Sequence, residues 1–186
     1  VLDVAPLFPE TVRPLRRREY ERLVELGVFD DERIELLRGV LVTMSPQGAP
    51  HADAISRLGA ALTTALAGRA VVRQHSPIAL TEDSEPEPDI AVVPEGSYAH
   101  EHPATALLVV EVADSSLRKD RELKAPLYAS AGVPEYWLVD LVHHTVEVGR
   151  TPGPDGYGEV RVRAWDEAVA LSAFPDVAVV FRDLLA

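Results

Sequence analysis

Two carboxylates and one amine stand in this sequence where solvated charge is not expected. Glu111 interrupts the apolar run Ala106-Leu-Leu-Val-Val-Glu-Val112, and Asp89 follows Pro88 at the head of Ile90-Ala-Val-Val93. An acid inside a near-continuous strand is costly to bury unless it is paired or bound to a cation. The third group is Lys124. On an α-helical wheel started at Leu117 it falls at about 340°, within the apolar stripe of Leu123, Leu127, Tyr128 and Ala131, whereas Arg118, Lys119 and Glu122 fall on the opposite, solvent side. A lysine in that stripe needs an acidic pocket to reach into. Simpler readings remain open at this level: Asp120, one turn before Lys124, forms an acid-first i,i+4 pair with it, and Glu111 alone reads equally well as a satisfied core acid. Taken together, the three groups form a coherent hydrolytic site. Asp89 and Glu111 would hold a hard divalent cation, Mg²⁺ or Mn²⁺, through oxygen ligands. The metal would polarise a phosphoryl group and lower the pKa of a bound water. The lysine would orient or deprotonate that water, or neutralise developing charge. That is equipment for hydrolysing a phosphodiester.

The elements that must position these groups are legible from periodicity. Pro6 and Pro9 mark residues 1–12 as an N-terminal arm, and residues 13–186 read as a single domain. A helix is expected from Pro14 to Leu26, stopped by Gly27, and it carries the basic cluster Arg13, Arg16, Arg17 and Arg18, which reads as a solvated face or a phosphate-contacting patch. Arg33 to Met44 reads as a hairpin turning at Arg38-Gly39, and Ser45-Pro46 ends it. From His51 to Ala67, apolar residues at Ala54, Ile55, Leu58, Ala61, Leu62, Ala65 and Leu66 recur every three or four positions, as in an amphipathic helix. Short strands follow at Ala70-Val72 and Ile78-Leu80, then an acidic loop, Glu82 to Pro88. The runs Ile90–Val93, Ala106–Val112 and Tyr136–Val142 are apolar on both faces and belong at a sheet centre. The helix from Leu117 to Ala131 between the last two implies a right-handed parallel crossover, with Pro126 kinking it after Lys124. Thr145–Gly149 and Gly158–Arg163 alternate as antiparallel strands about a turn at 152–156, and Phe174–Val180 packs back with Phe181 and Leu184. The expected class is α/β, with a mixed central sheet flanked by helices.

Composition limits the chemistry. With no cysteine, the chain has no disulfide framework, thiolate metal site or cysteine nucleophile. Lys and Arg total 18 against 30 Asp and Glu, for a net charge of −12, which argues against coating nucleic acid through bulk electrostatics. No apolar run reaches membrane-spanning length and the first residues lack a signal-peptide pattern, so no membrane partner and a cytoplasmic location are expected. Other constellations are weaker. His143 and His144, being adjacent, point to opposite faces of any strand and read as turn residues. His100 and His102 lack a third ligand nearby. Asp114-Ser-Ser116 lacks a nucleophile elbow, and Ser115 or Ser116 more simply caps the helix at Leu117. Arg118 and Arg121 flank the site and read as phosphate contacts or as solvated charge.

The ordered set Glu35-Leu-Leu-x-Gly39, Ser45-Pro46 with a following His51, Glu87-Pro-Asp89-Ile, Val110-Glu111-Val, Lys124-x-x-Leu-Tyr-Ala and Gly132-Val-Pro-Glu-Tyr-Trp-Leu-Val-Asp140 resembles the small bacterial Uma-type endonucleases of the restriction-endonuclease-like PD-(D/E)XK superfamily. The resemblance spans about Tyr20 to Phe181. It implies a restriction-endonuclease-like fold, Asp89 and Glu111 as metal-binding acids, DNA as the substrate, and Glu35 as an additional acid near the site. The usual lysine two places after the glutamate is replaced by Ala113, and the resemblance implies that Lys124 on the helix supplies it instead. Where the family commonly carries Asp before the hairpin glycine, this chain has Arg38. A Mg²⁺- or Mn²⁺-dependent endonuclease acting on DNA, bound only with metal present, is therefore expected, and a homodimer follows from the superfamily's habits. The alternatives are an inactive binding module on the same fold, or a metal-dependent hydrolase of a smaller phosphate ester.

Overall fold

The computed structural model describes residues 13–185; the arm expected over 1–12 lies outside the described residues. The molecule is built on a mixed six-stranded sheet, order β3-β4-β5-β6-β7-β8, formed by Ala70–Gln74, Ile90–Pro94, Leu108–Ala113, Glu135–Asp140, Thr145–Gly153 and Gly156–Ala164. Only β5 and β6 run parallel, joined by the expected helical crossover. Every residue of β5 and β6 is buried, as near-continuous apolar strands require. A buried polar tie holds the β6–β7 end: Glu135 accepts hydrogen bonds from Trp137 Nε1 (3.1 Å), Arg150 (2.6 Å) and the Ser172 amide (2.6 Å).

The two sheet faces carry different layers because side chains alternate along each strand. Even positions of β4 and β5 (Ile90, Val92, Leu108, Val110, Val112), with Trp137 and Val139, face α2 (Ala49–Ala65). The C-terminal pair β9 (Ala168–Ala170) and β10 (Ala178–Val180) and α5 (Phe181–Leu185) complete that layer, with Phe181 edge-on to Trp137 at 5.6 Å. Odd positions (Ala91, Val93, Val109, Ala113), with Tyr136 and Leu138, face the other layer. It comprises the hairpin β1 (Ile34–Leu37) and β2 (Val40–Thr43), and the crossover segment α3 (Leu117–Lys119), a π-helical turn (Asp120–Lys124) and α4 (Ala125–Ser130). Glu111 is an odd position, so its side chain enters this second layer.

Several expectations are corrected. Helix α1 runs Arg17–Glu25, not from Pro14, because the residues before it are strapped along the hairpin: the Leu15 amide bonds Gly39 O and the Arg17 amide bonds Glu82 O. Ile78–Leu80 is not a strand; Ile78 and Ala79 donate instead to the loop carbonyls of Pro86 and Pro103. The turn expected over 152–156 is tighter, with β7 and β8 paired to Gly153 and Gly156. Strand β9 went unanticipated, three residues being too few to carry an alternation pattern. Among the described residues, no helix is long and apolar enough to cross a membrane.

Candidate active site

Strand register assembles the site. In the antiparallel β4–β5 pair, Ile90 lies opposite Val110, so one further step puts Asp89 opposite Glu111. In β3–β4, Gln74 lies opposite Ile90, and the His75 amide bonds Asp89 O at 3.2 Å. His75, Asp89 and Glu111 thus form one row across three strand ends. Asp89 is locked there because its Oδ2 accepts the Val112 amide at 2.8 Å and lies 3.2 Å from His51 Nε2, while His75 Nδ1 stands 3.8 Å from Oδ1. His51 comes from the first turn of α2, reaching around the end of the sheet.

From the facing layer, Lys124 and Tyr128 both donate to Glu111 Oε1, at 3.0 and 2.8 Å. Lys124 Nζ also lies 3.1 Å from Oε2 of Glu35, an acid on β1 with no solvent exposure. Glu35 Oε2 further accepts the Glu87 amide at 3.2 Å. Its Oε1 is buried without a hydrogen bond, with Lys119 Nζ 3.5 Å away. The structure therefore brings Asp89, Glu111, Lys124 and Glu35 together around one cleft of about 260 Å³, which the first three line and Glu35 backs.

Asp120 is not the partner of Lys124 that i,i+4 spacing offers; it accepts a short hydrogen bond from Ser116. That hydroxyl is thereby diverted from capping α3, whose first turn has no side-chain cap. Lys119 is not on the solvent side but faces Glu35 and the cleft. The cause is the π turn, in which the Ala125 amide bonds Asp120 O, five residues back. Five residues only slightly exceed one π turn, so Lys119 and Lys124 come onto one side, where a regular α-helix would separate them by about 140°. Pro126, lacking an amide, cannot bond back to Glu122 and favours this break in the regular ladder. Arg118 pairs with Glu122 and Arg121 with Glu147, so neither lines the cleft.

Electrostatics follow from burial and excess acid. Burial pushes the Glu111 carboxyl up; Lys124 opposes this, while Asp89, Asp120 and Glu35 add to it. Burial disfavours the Lys124 ammonium, but the charges of Glu111, Glu35 and Asp120 outweigh it and hold the amine protonated. Burial and the negative charge of Glu111 likewise keep the Tyr128 phenol protonated. Burial opposes charge on both Asp89 and His51, yet their mutual hydrogen bond and attraction prevail, lowering the carboxyl pKa and raising that of the imidazole. Among the described residues, no trio of His, Asp or Glu side chains is placed to close around one ion. The donors that would suit a hard cation are the opposed carboxylates of Asp89 and Glu111. The buried Glu35 Oε1 at the back of the cleft, a carboxylate oxygen left without a hydrogen bond, is consistent with that fit.

His51 and His75 were missed as site residues. His51 carried a usable signal: at three and four residues before Ala54 and Ile55 it extends the buried stripe of α2 toward its N-terminus. His75 carried none, since its place depends on long-range register.

The fold is thus a mixed α/β sheet flanked by helices, with the opposed carboxylates and the helix-borne lysine gathered near its strand ends. The chain belongs to the Uma2 family, described as "Putative restriction endonuclease", whose profile matches residues 17–183. Among solved structures, it is similar to a "putative nuclease belonging to DUF820 from Anabaena variabilis ATCC 29413", with a TM-score of 0.74 and 18% identity over 92% of this chain and 98% of the other, a likeness of fold. The type IIG restriction endonuclease BpuSI aligns at a TM-score of 0.40 and 16% identity, over 62% of this chain and 14% of that one. No curated protein matches.

Proposed function

We propose that this chain is a Mg²⁺- or Mn²⁺-dependent endonuclease that hydrolyses DNA phosphodiester bonds. The observation that carries the reading is Lys124, buried between Glu111 and Glu35 at a cleft whose other wall is Asp89. Asp89 and Glu111 would hold the metal. When bound, it would supply Lewis-acid polarisation of the phosphoryl oxygens and a water of lowered pKa. Water adds to phosphorus and one ester P–O bond breaks, leaving a phosphomonoester on one end and a hydroxyl on the other. Held protonated, Lys124 serves as a fixed cation that orients the attacking water and stabilises charge building on phosphate, rather than as a base. Tyr128 fixes the Glu111 carboxylate, and the Val112 amide with His51 fixes Asp89. Lys119 lines the cleft, where it suits a polyanion, whereas Arg33, which also lines it, is paired with Glu87.

Nicking of supercoiled plasmid in Mg²⁺ or Mn²⁺ tests this. Asp89→Ala and Lys124→Ala should each lower the rate by about 10²-fold or more, with wild-type activity abolished by EDTA. Cleavage surviving both substitutions would sink the site; no cleavage by wild type under any metal would favour a binding module.

A further inference from the structure

We infer that the free edge of β8 is the interface of a two-fold symmetric homodimer, in which the β8 strands of two copies pair antiparallel and fuse two six-stranded sheets into one. β8 ends the sheet, and β7 is the one strand it pairs with among the described residues, Ala164 at its end being tied to Glu167. Long edge strands are normally shortened, covered or guarded by inward-pointing charge, because their unpaired amides and carbonyls are a template for another strand. Here Val160 and Val162 are 57% and 62% exposed on the same side of the strand, an apolar surface with no cover among the described residues.

The occupant follows from the sequence of the strand itself. A two-fold axis normal to the sheet pairs residues that share a face. With Val160 on the axis, it meets the partner's Val160, and Glu159 meets the partner's Arg161 twice over. Val162 falls opposite the partner's Gly158, where there is no side chain to exclude its methyl groups. The charges are already disposed for this. Arg161 Nε lies 2.5 Å from Glu159 Oε1 within the strand, so the two side chains share a face and alternate in sign. The next register, shifted by two residues, is disfavoured twice: it stacks Arg161 on its own copy, and it needs Arg163, which Glu167 already engages at 3.1 Å. No other strand need be invoked, since β8 is complementary to itself. Because the axis is normal to the sheet, both Glu111 side chains project from the same face of the fused sheet. The inference does not rest on the proposed reaction.

Sedimentation equilibrium of the full chain tests it. Wild type should be dimeric, while Glu159→Arg and Arg161→Glu, each placing like charges opposite one another twice, should weaken self-association at least about tenfold. Mixed in equal amounts, these two variants should recover dimer, because each supplies the charge the other lacks at both pairs. A second measurement exploits the absence of cysteine. Val160→Cys, on the axis, should give a covalent dimer on diamide oxidation, whereas Val142→Cys, 61% exposed on another surface, should not. A monomeric wild type, a dimer indifferent to both charge reversals, or equal cross-linking at 160 and 142 overturns the proposal.

Discussion

With Nζ 3.0 Å from Glu111 and 3.1 Å from Glu35, Lys124 neutralises two carboxylates almost wholly withdrawn from solvent. Removing one partner of a buried ion cluster leaves the others uncompensated, a loss of about 3–5 kcal/mol. Lys124→Ala should therefore destabilise the fold by that order in urea denaturation at pH 7, besides stopping catalysis. If the cost lies in stranded negative charge, Glu35→Gln added to Lys124→Ala should recover part of the stability, whereas a cost arising from lost packing would leave the double variant no better than the single. These residues differed in how visibly the sequence carried them. Glu111 and Lys124 stood out because each breaks an apolar pattern. Asp89 was visible as the head of a strand, and Glu35 only through family resemblance, because a lone acid in a short hairpin has no signature of burial. His75 owes its place to the end of the sheet, which no local window describes, whereas His51 was announced only by its position on the buried stripe of α2.

At the level of elements, the hairpin sets Glu35 and the crossover helix sets Lys119 and Lys124 against the sheet's Asp89 and Glu111, and the helix departs from regularity where it does so. The hairpin turns on Arg38 (φ 49°) and Gly39 (φ 75°), both left-handed, as a type I′ turn requires. Glycine fits its position: an added Cβ would lie 2.2 Å from Pro14 Cβ and 2.9 Å from Pro14 Cα. Arginine is the poorer choice at 38, where Asn or Asp tolerates positive φ better. Arg38→Asn should raise the unfolding free energy by about 0.5–1 kcal/mol, and Gly39→Ala should lower it by about 2 kcal/mol or more, both measured by denaturant titration. If Arg38→Asn leaves stability unchanged or reduces it, backbone conformation is not what limits this turn. The hairpin's existence and its turn were legible because Gly, Pro and flanking apolar runs punctuate it locally. The π turn was not. An ideal wheel placed Lys124 inward but sent Lys119 outward, since one residue of helical irregularity turns everything before it by about 100° and nothing in residue type announces it except Pro126. The parallel crossover and the central strands were readable as continuous apolar runs. The antiparallel register that sets Asp89 against Glu111 was not, because it depends on which strands are neighbours.

For the molecule as a whole, a net charge of −12 is the strongest physical objection to DNA as substrate, and the distribution of that charge answers it. Asp89, Glu111, Asp114, Asp120 and Glu87 line the same cleft as Lys119, Lys124 and Arg33, with Glu35 behind it, so without a cation the mouth of the site should disfavour phosphate. A divalent ion between Asp89 and Glu111 would change the local sign without altering the acidic remainder of the surface. Binding should then behave unlike that of a basic DNA-coating protein, whose affinity comes from many phosphate contacts and collapses steeply with salt. Fluorescence anisotropy of a short labelled duplex with Lys124→Ala, a variant expected not to cut it, should show at least about tenfold tighter binding in Mg²⁺ than in EDTA at matched ionic strength, with a shallow salt slope of only a few released counterions. The double variant Asp89→Ala, Lys124→Ala should lose the metal response while keeping the same weak metal-free affinity. Tight binding in EDTA, or a metal response that survives without Asp89, would place the DNA on another surface, the Arg13 to Arg18 segment being the most basic one available.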